Sequence, residues 1–291
     1  MELNTSRSKK NCKLAPNLPL PIILKKDGSI CKIKGTFNGI SVSVDHLENM
    51  KNIVAMGYYG KGIFSRNYPL FSVDKVSILR NRQYERRVKL SNKKAVHPQK
   101  IISVPDSDDE YDSYFTNLKP NYQIDRSGIN EIVCLSLEEA FFLSNLDILE
   151  IYKESSLINL DELWKAFAEC DPHFTINYAV YTYFKTKNWV VKPGIKFGGD
   201  FLLYERGPPF CHASYVVILD ILNKDMERNM ELSRRSVDNM SLLYLNRLCE
   251  TTGKELMICQ VILNQWPISD HDSIRDIVIK EILINREHTK K

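Results

Sequence analysis

The chain has 291 residues, enough for one large domain or two smaller ones, and 43% of them are hydrophobic, as in a globular protein with a buried core. The formal net charge of +4 permits an anionic partner but is too small to predict one. No apolar run reaches 18 residues and the N-terminus MELNTSRSKKNCK has no apolar stretch, so we expect neither a membrane span nor a secretory signal. Seven cysteines without a CxxC pair or zinc spacing indicate reduced thiols of an intracellular protein.

Changes in composition along the chain predict four segments. These are a disordered tail (1–18), a small N-terminal α+β domain (19–81), a charged and partly disordered connector (82–129) and a larger C-terminal domain (130–291). In the N-terminal domain, LPIILKKDGSICKIKGTFNGISVSV alternates apolar and polar residues around Asp27-Gly28, which predicts strands. VDHLENMKNIVAM predicts a short helix, and GYYGKG predicts a turn because it lacks the spacing of a phosphate-binding loop.

The C-terminal domain begins with helical periodicity. CLSLEEAFFLSNLDILEIY predicts a helix with Ser136 as N-cap and Glu139 three residues later, LINLDELWKAFAEC a second helix ending before Pro172, and TINYAVYTYFKTKNW a third. The period then changes to two. VVKPGIKFGGDFLLYE predicts two short strands, and HASYVVILDIL, ELMICQVILN and IRDIVIKEILI predict three more. The order predicts an α+β fold in which helices pack on a mixed sheet.

The stretch GIKFGGDFLLYERGPPFCHASY places a tyrosine and a histidine on either side of a rigid turn. Tyr204 ends a buried strand, Gly207 and two prolines form the turn, and His212 is expected to open the next strand, from Ala213 to Leu219. Such a frame would hold a phenol and an imidazole near one another. A tyrosine at a strand end and a histidine beside a turn are nevertheless structural in most proteins, so these residues alone indicate only a generic α+β protein.

Two neighbouring features favour structural roles. The glycines of Gly198-Gly199-Asp200 predict a bulge or a close backbone approach, and Asp200 is expected to bond backbone amides there. Trp189 is expected to pack in the core rather than to stack on a base. Neither feature is therefore counted among the candidate catalytic groups.

The segment NYAVYTYFKTKNWVVKPGIKFGGDFLLYERGPPFCHASY resembles the catalytic domain of the tRNA-splicing endonuclease family. The helix YAVYTYFKTKNW, the strand GIKFGGDFLLY and the turn GPPFCHASY are similar to the eukaryotic subunit that cuts the 5′ splice site. The similarity continues through TTGKELMICQVI, covers about residues 130 to 285, and is much looser in the N-terminal domain. It implies that the C-terminal domain is a catalytic endonuclease domain.

The resemblance implies a catalytic trio of Tyr204, His212 and Lys254, with no metal and no cofactor. An imidazole, with an ordinary pKa near 6.5, can protonate the departing 5′-oxygen, and a lysine can stabilise the charge of the phosphorane. Tyr204 is then either the base that deprotonates the 2′-hydroxyl or a group that orients it, since a phenol has an ordinary pKa near 10. The products implied are a 2′,3′-cyclic phosphate and a 5′-hydroxyl.

The resemblance also implies contacts with RNA and with other subunits. Arg247 matches an arginine that pinches a bulged intron base, and Arg206 and Lys196 are candidates for phosphate contacts, together with Lys185, Lys187 and Lys192. The implied partners are intron-containing pre-tRNA, a second catalytic subunit and two structural subunits, assembled in the nucleus as a heterotetramer. A non-catalytic RNA-binding or assembly subunit is the alternative. A metal nuclease is disfavoured because no His or carboxylate cluster has ligand spacing.

Overall fold

The computed structural model describes residues 32–63, 100–101, 121–122, 131–268 and 270–284. The chain divides into two compact units, one comprising residues 1–69 and 132–291 and the other residues 70–131. In the second unit, the described strands β4 (Lys100–Ile101) and β5 (Asn121–Tyr122) pair antiparallel. The predicted Asp27-Gly28 turn lies outside the described residues, as does the acidic part of the connector.

The first sheet of the larger unit has six strands in the order β3-β6-β2-β1-β7-β8. Its strands are β1 (Ile33–Phe37), β2 (Val42–Val44), β3 (Lys61–Gly62), β6 (Val133–Leu135), β7 (Leu149–Lys153) and β8 (Ser156–Leu157). Alternate residues of β1 are buried, so the predicted period of two is confirmed there. The predicted short helix is also confirmed as α1 (Leu47–Gly57), which buries Met50, Ile53 and Met56.

The sheet joins strands from both sides of the segment predicted as a connector. β2 pairs antiparallel with β6, and β1 pairs parallel with β7. Residues before 64 and after 130 therefore share one hydrogen-bonded sheet. The four predicted segment boundaries stay predictions.

The helix predicted over CLSLEEAFFLSNLDILEIY is correct only in its middle. Helix α2 (Leu137–Asn145) begins with the predicted capping box, since Ser136 Oγ accepts the Glu139 N–H and Glu139 Oε2 accepts the Ser136 N–H, both at 3.3 Å. Beyond it, the prediction is wrong: Asp147 has a φ of 57° and the chain continues as β7. Leu149 and Ile151 are buried at a period of two, and pairing with β1 outweighs the helical pattern.

The next two predicted helices are confirmed as α3 (Leu160–Cys170) and α4 (Phe174–Thr186). Their aromatic rings converge on Phe141 of α2, whose ring centroid lies 5.1 Å from that of Trp164 and 4.9 Å from that of Tyr178. Edge-to-face contacts of this kind add to the burial of the rings. None of the helices within the described residues is both long and apolar enough to cross a membrane.

The second sheet has five strands in the order β13-β12-β11-β10-β9. They are β9 (Val190–Pro193), β10 (Phe201–Tyr204), β11 (Tyr215–Asn223), β12 (Glu255–Leu263) and β13 (Val278–Ile284). β11 and β12 are parallel and the other pairs antiparallel, so the predicted mixed sheet and the α+β class are confirmed. Helix α4 packs against β9 and β12.

Two details of this region differ from the sequence prediction. β11 begins at Tyr215 rather than at His212, because the backbone of residues 207–211 is folded into the preceding turn. A helix α5 (Asn239–Thr251), to which the sequence analysis assigned no element, precedes β12. Its N-cap Asp238 accepts the Ser241 N–H at 2.8 Å, and Cys249 packs into a cluster with Leu202 and Leu256 of the sheet.

Candidate active site

The sheet topology brings the ends of three strands to one edge. β10 runs antiparallel to β11 with Leu203 opposite Tyr215, and β11 runs parallel to β12 with Tyr215 opposite Glu255. The end of β10 and the beginnings of β11 and β12 therefore lie side by side. Tyr204 ends β10, His212 precedes β11 and Lys254 precedes β12, so the three predicted catalytic residues lie at this edge. We call it the catalytic edge.

The backbone of Ser214 ties the catalytic edge together. Its N–H donates to Leu203 O at 2.8 Å, and its carbonyl accepts the Glu255 N–H at 2.9 Å. Leu203 adjoins Tyr204 and Glu255 adjoins Lys254, while Ser214 is two residues beyond His212. With neighbouring strands roughly 5 Å apart, these hydrogen bonds hold the backbone segments that carry the three residues next to one another.

The turn before His212 is organised around Gly207. Its φ of 106° is open only to glycine without strain, and its carbonyl accepts the Phe210 N–H at 3.1 Å and the Cys211 N–H at 3.2 Å. Cys211 is buried, whereas His212 is exposed. The turn thus anchors its last residue in the core and presents the imidazole to solvent.

Tyr204 is half-buried where β10 leaves the sheet, opposite Val190 of β9. Burial raises the pKa of its phenol, and the nearby Cys211 thiol raises it further. The phenol is therefore neutral at physiological pH. A neutral phenol donates or accepts a hydrogen bond but is a poor proton acceptor.

Lys254 is a nearly buried cation, 9% exposed. Its Nζ donates to Thr252 O at 3.0 Å and lies 4.1 Å from the centroid of the Phe197 ring, a cation–π contact. Burial lowers the pKa of this ammonium. An anion that arrived at the catalytic edge would compensate the lost hydration, so the site favours a negatively charged group.

The three candidate RNA-binding residues are exposed. Arg247 lies on the outer side of α5 beside the exposed Tyr244 and Leu248, and Arg206 lies in the turn, 3.8 Å from Glu205 Oε1. Lys196 belongs to a short 3₁₀ helix, Ile195–Phe197. Burial lowers the pKa of Lys61, and Lys196 lowers it further, so these two ammonium groups reinforce each other's positive field. Their roles as RNA contacts stay predictions.

The other three lysines considered for phosphate contacts have structural partners. Lys192 Nζ lies 2.7 Å from Glu139 Oε1, and Lys187 Nζ lies 2.9 Å from Glu281 Oε1. Lys185 is 3% exposed, with its Nζ 4.6 Å from the centroid of the Tyr59 ring. Lys185 and Lys192 are therefore engaged within the protein, whereas Lys187 is exposed and its phosphate contact stays a prediction.

Gly198-Gly199-Asp200 has the structural role expected from the sequence. A Cβ on Gly199 would lie 2.4 Å from Val216 Cγ1, so the close backbone approach is confirmed. Asp200 Oδ2 accepts the Leu219 N–H at 2.8 Å, which confirms that this carboxylate bonds the backbone. It also accepts from Arg235 at 2.9 Å, a partner that no local sequence signal indicates.

A cleft of about 360 Å³ lies at the opposite end of β10. It is lined by cations and carboxylates, including Lys192, Arg234, Arg235, Glu138, Asp171 and Asp200. The basic groups are paired within it: Arg234 lies 3.1 Å from Asp171 and Arg235 lies 2.9 Å from Asp200. Burial raises the pKa of the Glu138 carboxyl. Across the ranges that the structure describes, no cluster of three or more His, Cys, Asp or Glu side chains is arranged to hold a metal ion.

Sequence reasoning missed two aromatic residues that contact the catalytic edge. Phe197 lies under Lys254, and Tyr58 of the N-terminal segment contacts the turn, with its ring centroid 5.9 Å from that of Phe210. Neither residue carries a local signal, since each contact joins segments distant in sequence. Trp189 packs edge-to-face on Tyr215 at 5.6 Å, consistent with the predicted core role.

Comparison with known proteins gives a family match over the C-terminal part. Residues 174–265 match the family model described as tRNA intron endonuclease, catalytic C-terminal domain. The range includes Tyr204, His212, Arg247 and Lys254, together with β9 to β12.

Three relatives illustrate the extent of the similarity. The chain is 39% identical over 163 residues to the tRNA-splicing endonuclease subunit Sen2 of Rattus norvegicus, covering 54% of this chain and 35% of the relative. It is 32% identical over 152 residues to the tRNA-splicing endonuclease of Sulfolobus acidocaldarius, covering 52% of this chain and 75% of the relative. A probable Sen2 subunit of Schizosaccharomyces pombe is 26% identical over 287 residues, covering 76% of this chain and 72% of the relative.

The similarity to the mammalian subunits is confined to one part of those proteins. The chain spans about a third of the length of the rat and mouse relatives. The archaeal match, by contrast, covers three quarters of its relative. The chain therefore belongs to the tRNA intron endonuclease family, and its C-terminal part is similar to Sen2 subunits.

Proposed function

We propose that this chain is an endoribonuclease subunit that cleaves intron-containing pre-tRNA at the 5′ splice site. The observation that carries the proposal is the convergence of Tyr204, His212 and Lys254 on one edge of the second sheet. Membership of the tRNA intron endonuclease family and similarity to Sen2 subunits support pre-tRNA as the substrate. The choice of the 5′ splice site rests on the resemblance carried by the turn GPPFCHASY.

The proposed chemistry uses the RNA's own nucleophile. The 2′-hydroxyl attacks the adjacent phosphorus, the O2′–P bond forms, and the P–O5′ bond breaks. The hydroxyl proton leaves to solvent water, and protonated His212 donates a proton to the departing 5′-oxygen. The products are a 2′,3′-cyclic phosphate and a 5′-hydroxyl, and the step requires no metal ion or cofactor.

Lys254 is the group that stabilises the charge of the phosphorane. Its ammonium contacts a carbonyl and a ring face, and no carboxylate of the described residues pairs with it, so nothing in this part of the chain neutralises its positive charge. A fixed cation in a partly dehydrated site stabilises a developing negative charge more strongly than the same cation in water. The position beside Glu255 keeps it close to the backbone that carries Tyr204 and His212.

Tyr204 acts as a neutral phenol that orients the 2′-hydroxyl. Burial raises its pKa, and the phosphates of a bound RNA would raise it further, since negative charge disfavours the phenolate. These effects oppose a role as general base. The base role remains the alternative for this residue.

The exposed cations extend the site toward the RNA. Arg247, Arg206 and Lys196 are proposed to contact the RNA, Arg247 by stacking on a bulged base and the other two through phosphates. The basic pair Lys61 and Lys196 supports a phosphate contact. Each of these side chains is exposed and reaches solvent without rearrangement of the core.

The proposed partners are a second catalytic subunit and two structural subunits, in a heterotetramer located in the nucleus. β13 is an edge strand of the second sheet and carries the apolar side chains Val278, 46% exposed, and Ile282, 39% exposed. An apolar edge strand favours pairing with another chain. The alternative function is a non-catalytic RNA-binding or assembly subunit of the same complex.

The deciding experiment is cleavage of an intron-containing pre-tRNA by the complex co-expressed with its partner subunits, in EDTA. In the His212→Ala variant we expect the 5′ cut to vanish while the 3′ cut persists, and the wild-type products to carry a 2′,3′-cyclic phosphate. His46→Ala, at an exposed histidine at the start of α1, is the matched control. Normal 5′ cleavage by His212→Ala would establish the assembly subunit instead.

A further inference from the structure

We propose that Tyr58 is a positioning residue for catalysis, because its ring supports the turn that places His212. The inference rests on the proposed function, since it names a further residue serving the same site. It assigns to the N-terminal segment, through Tyr58, a role in the position of His212 at the catalytic edge.

The ring of Tyr58 fills the space above Gly207. A Cβ on Gly207 would lie 2.4 Å from both Cδ2 and Cε2 of the Tyr58 ring, so the ring lies directly on the backbone of the turn. The same ring meets Phe210 edge-to-face, with an interplanar angle of 72°. Tyr58 therefore contacts Gly207, around which the turn is organised, and Phe210, which directly precedes Cys211, the last residue of the turn.

The turn transmits the position of Gly207 to His212. The Gly207 carbonyl accepts the N–H groups of Phe210 and Cys211, and the Cys211 thiol donates to the same oxygen at 3.5 Å. Residues 207–211 thus form one hydrogen-bonded unit whose last member directly precedes His212. A shift of Gly207 toward the space left by a missing ring would move the imidazole with it.

Tyr58 itself is firmly held. It ends α1 in the left-handed conformation, with a φ of 60°, and its N–H donates to Val54 O at 2.9 Å. Two residues later, the Gly60 N–H donates to Glu139 Oε2 at 3.0 Å, and Lys192 Nζ donates to Gly60 O at 3.0 Å.

The clamp on Gly60 links Tyr58 to the second sheet. Lys192 and Glu139 are themselves an ion pair at 2.7 Å, with side-chain exposures of 11% and 4%. Lys192 belongs to β9, opposite Leu202 of β10, the strand that ends at Tyr204. Tyr58, whose ring supports the turn, is therefore linked through Gly60 to the same sheet that carries the proposed catalytic residues Tyr204 and Lys254.

The test compares Tyr58→Ala, Tyr58→Phe and wild type in the co-expressed complex, with pre-tRNA cleavage measured at the 5′ site. Misplacement of a catalytic group by about 1 Å can lower a rate by about 100-fold. We expect Tyr58→Ala to lower kcat by between about 10-fold and 100-fold and to change KM by less than about threefold. Tyr58→Phe keeps the ring and should restore kcat to within about twofold of wild type.

Phe37→Ala is the matched control for a general loss of stability. Phe37 is a buried ring of the first sheet, and its ring centroid lies 5.1 Å from that of Phe167 on helix α3. At a temperature where both variants are folded, Phe37→Ala should keep the wild-type kcat. An equal loss of kcat in Phe37→Ala, or a loss in Tyr58→Phe as large as in Tyr58→Ala, would overturn the positioning role.

A second readout separates this inference from the proposed function. The rate at which diethyl pyrocarbonate modifies His212, followed by mass spectrometry of the complex, reports the setting of the imidazole without any cleavage. We expect at least a twofold change in this rate for Tyr58→Ala and none for Tyr58→Phe. If Tyr58→Ala changes neither the modification rate of His212 nor kcat, the positioning role is overturned and the proposed function is unaffected. If the wild-type complex does not cleave pre-tRNA, the proposed function alone is overturned.

Discussion

At the start of β10, the cations around the cleft lie against carboxylates, whereas at its end Lys254 lies against a carbonyl and an aromatic ring. The cleft pairs are Lys192 with Glu139, Arg234 with Asp171, and Arg235 with Asp200, at 2.7–3.1 Å. At the catalytic edge, Lys254 Nζ is 3.0 Å from Thr252 O and 4.1 Å from the centroid of the Phe197 ring. Both ends of β10 belong to the same sheet, so what distinguishes them is the kind of group that contacts each cation.

The difference separates cations that hold the fold from a cation that remains available for an anion. A paired and partly buried cation contributes to stability only while its carboxylate is present, and losing one partner leaves an uncompensated charge. A cation held by a carbonyl and a ring retains its field and can stabilise an incoming phosphate. Substitutions at the two ends of β10 should therefore affect different properties.

Among the substitutions that compare the two ends of β10, Lys254→Met has the largest expected effect on cleavage. Removing a charge that acts on the transition state lowers kcat by about 100-fold to 1,000-fold. Because burial lowers the pKa of Lys254, the fold stabilises its charged form less than water does, and we expect Tm to stay the same or rise. Single-turnover cleavage and thermal denaturation of the complex measure both. If kcat of Lys254→Met stays within about threefold of wild type, Lys254 does not act on the transition state and the proposed difference between the two ends of β10 is wrong.

Asp200→Ala should have the opposite pattern. The substitution leaves the Leu219 N–H and the Arg235 guanidinium without their carboxylate, and the expected loss in the free energy of unfolding is about 3 kcal/mol. Cleavage by the folded complex should fall far less than in Lys254→Met. Urea denaturation and cleavage rates provide the comparison, with Asp200→Asn as the control because its amide oxygen can still accept the Leu219 N–H. A 100-fold loss of kcat at unchanged stability would contradict this assignment.

The buried Lys185 extends the comparison to the pH dependence of the free energy of unfolding. Burial lowers its pKa to about 8, with Lys192 lowering it further and Glu139 opposing the shift, and its ammonium faces the rings of Tyr59 and Phe142. Between pH 8 and the ordinary lysine pKa of 10.5, the unfolded chain binds more protons than the folded chain, so stability rises with pH in that window.

The pH effect is measured against Lys185→Met, which lacks the titrating group. From pH 7.5 to 9.5, wild type should gain about 2 kcal/mol of unfolding free energy relative to this variant. Urea denaturation at both pH values gives the difference. A constant difference would mean that this buried lysine keeps an ordinary pKa and that the surrounding charges compensate its burial.

Much of the second sheet could be predicted from the sequence because its signals are local. The apolar runs of β10 and β11 and the Gly-Pro-Pro turn between Tyr204 and His212 each lie within a few residues. The same holds outside this sheet for the capping box of Ser136 and Glu139 at the start of α2. Lys254 carries no such signal, and only the resemblance to the family indicated it. The parallel pairing of β11 with β12 is what brings it to the edge, and that pairing is a property of the topology.

The remaining features depend on contacts between distant segments. Leu149–Lys153 fits a helical pattern in isolation but forms a strand because β1 offers an open edge for pairing. The contact of Tyr58 with Gly207 and the clamp of Lys192 on Gly60 likewise join the N-terminal segment to the second sheet. Local propensity contains no information on such contacts, which arise only when the chain packs.

The smallest effect is expected for Tyr204→Phe, at the same end of β10 as Lys254. If the neutral phenol orients the 2′-hydroxyl, the variant loses one hydrogen bond, worth about 1 kcal/mol, and kcat should fall by about fivefold to tenfold. The alkaline side of the pH–rate profile should keep its shape, because no group that titrates in the cleavage step has been removed. A general base contributes about 100-fold to 10,000-fold, so a loss of that size with a changed alkaline limb would establish the base role. It would also require bound RNA to lower a phenol pKa that burial raises, although phosphates act in the other direction.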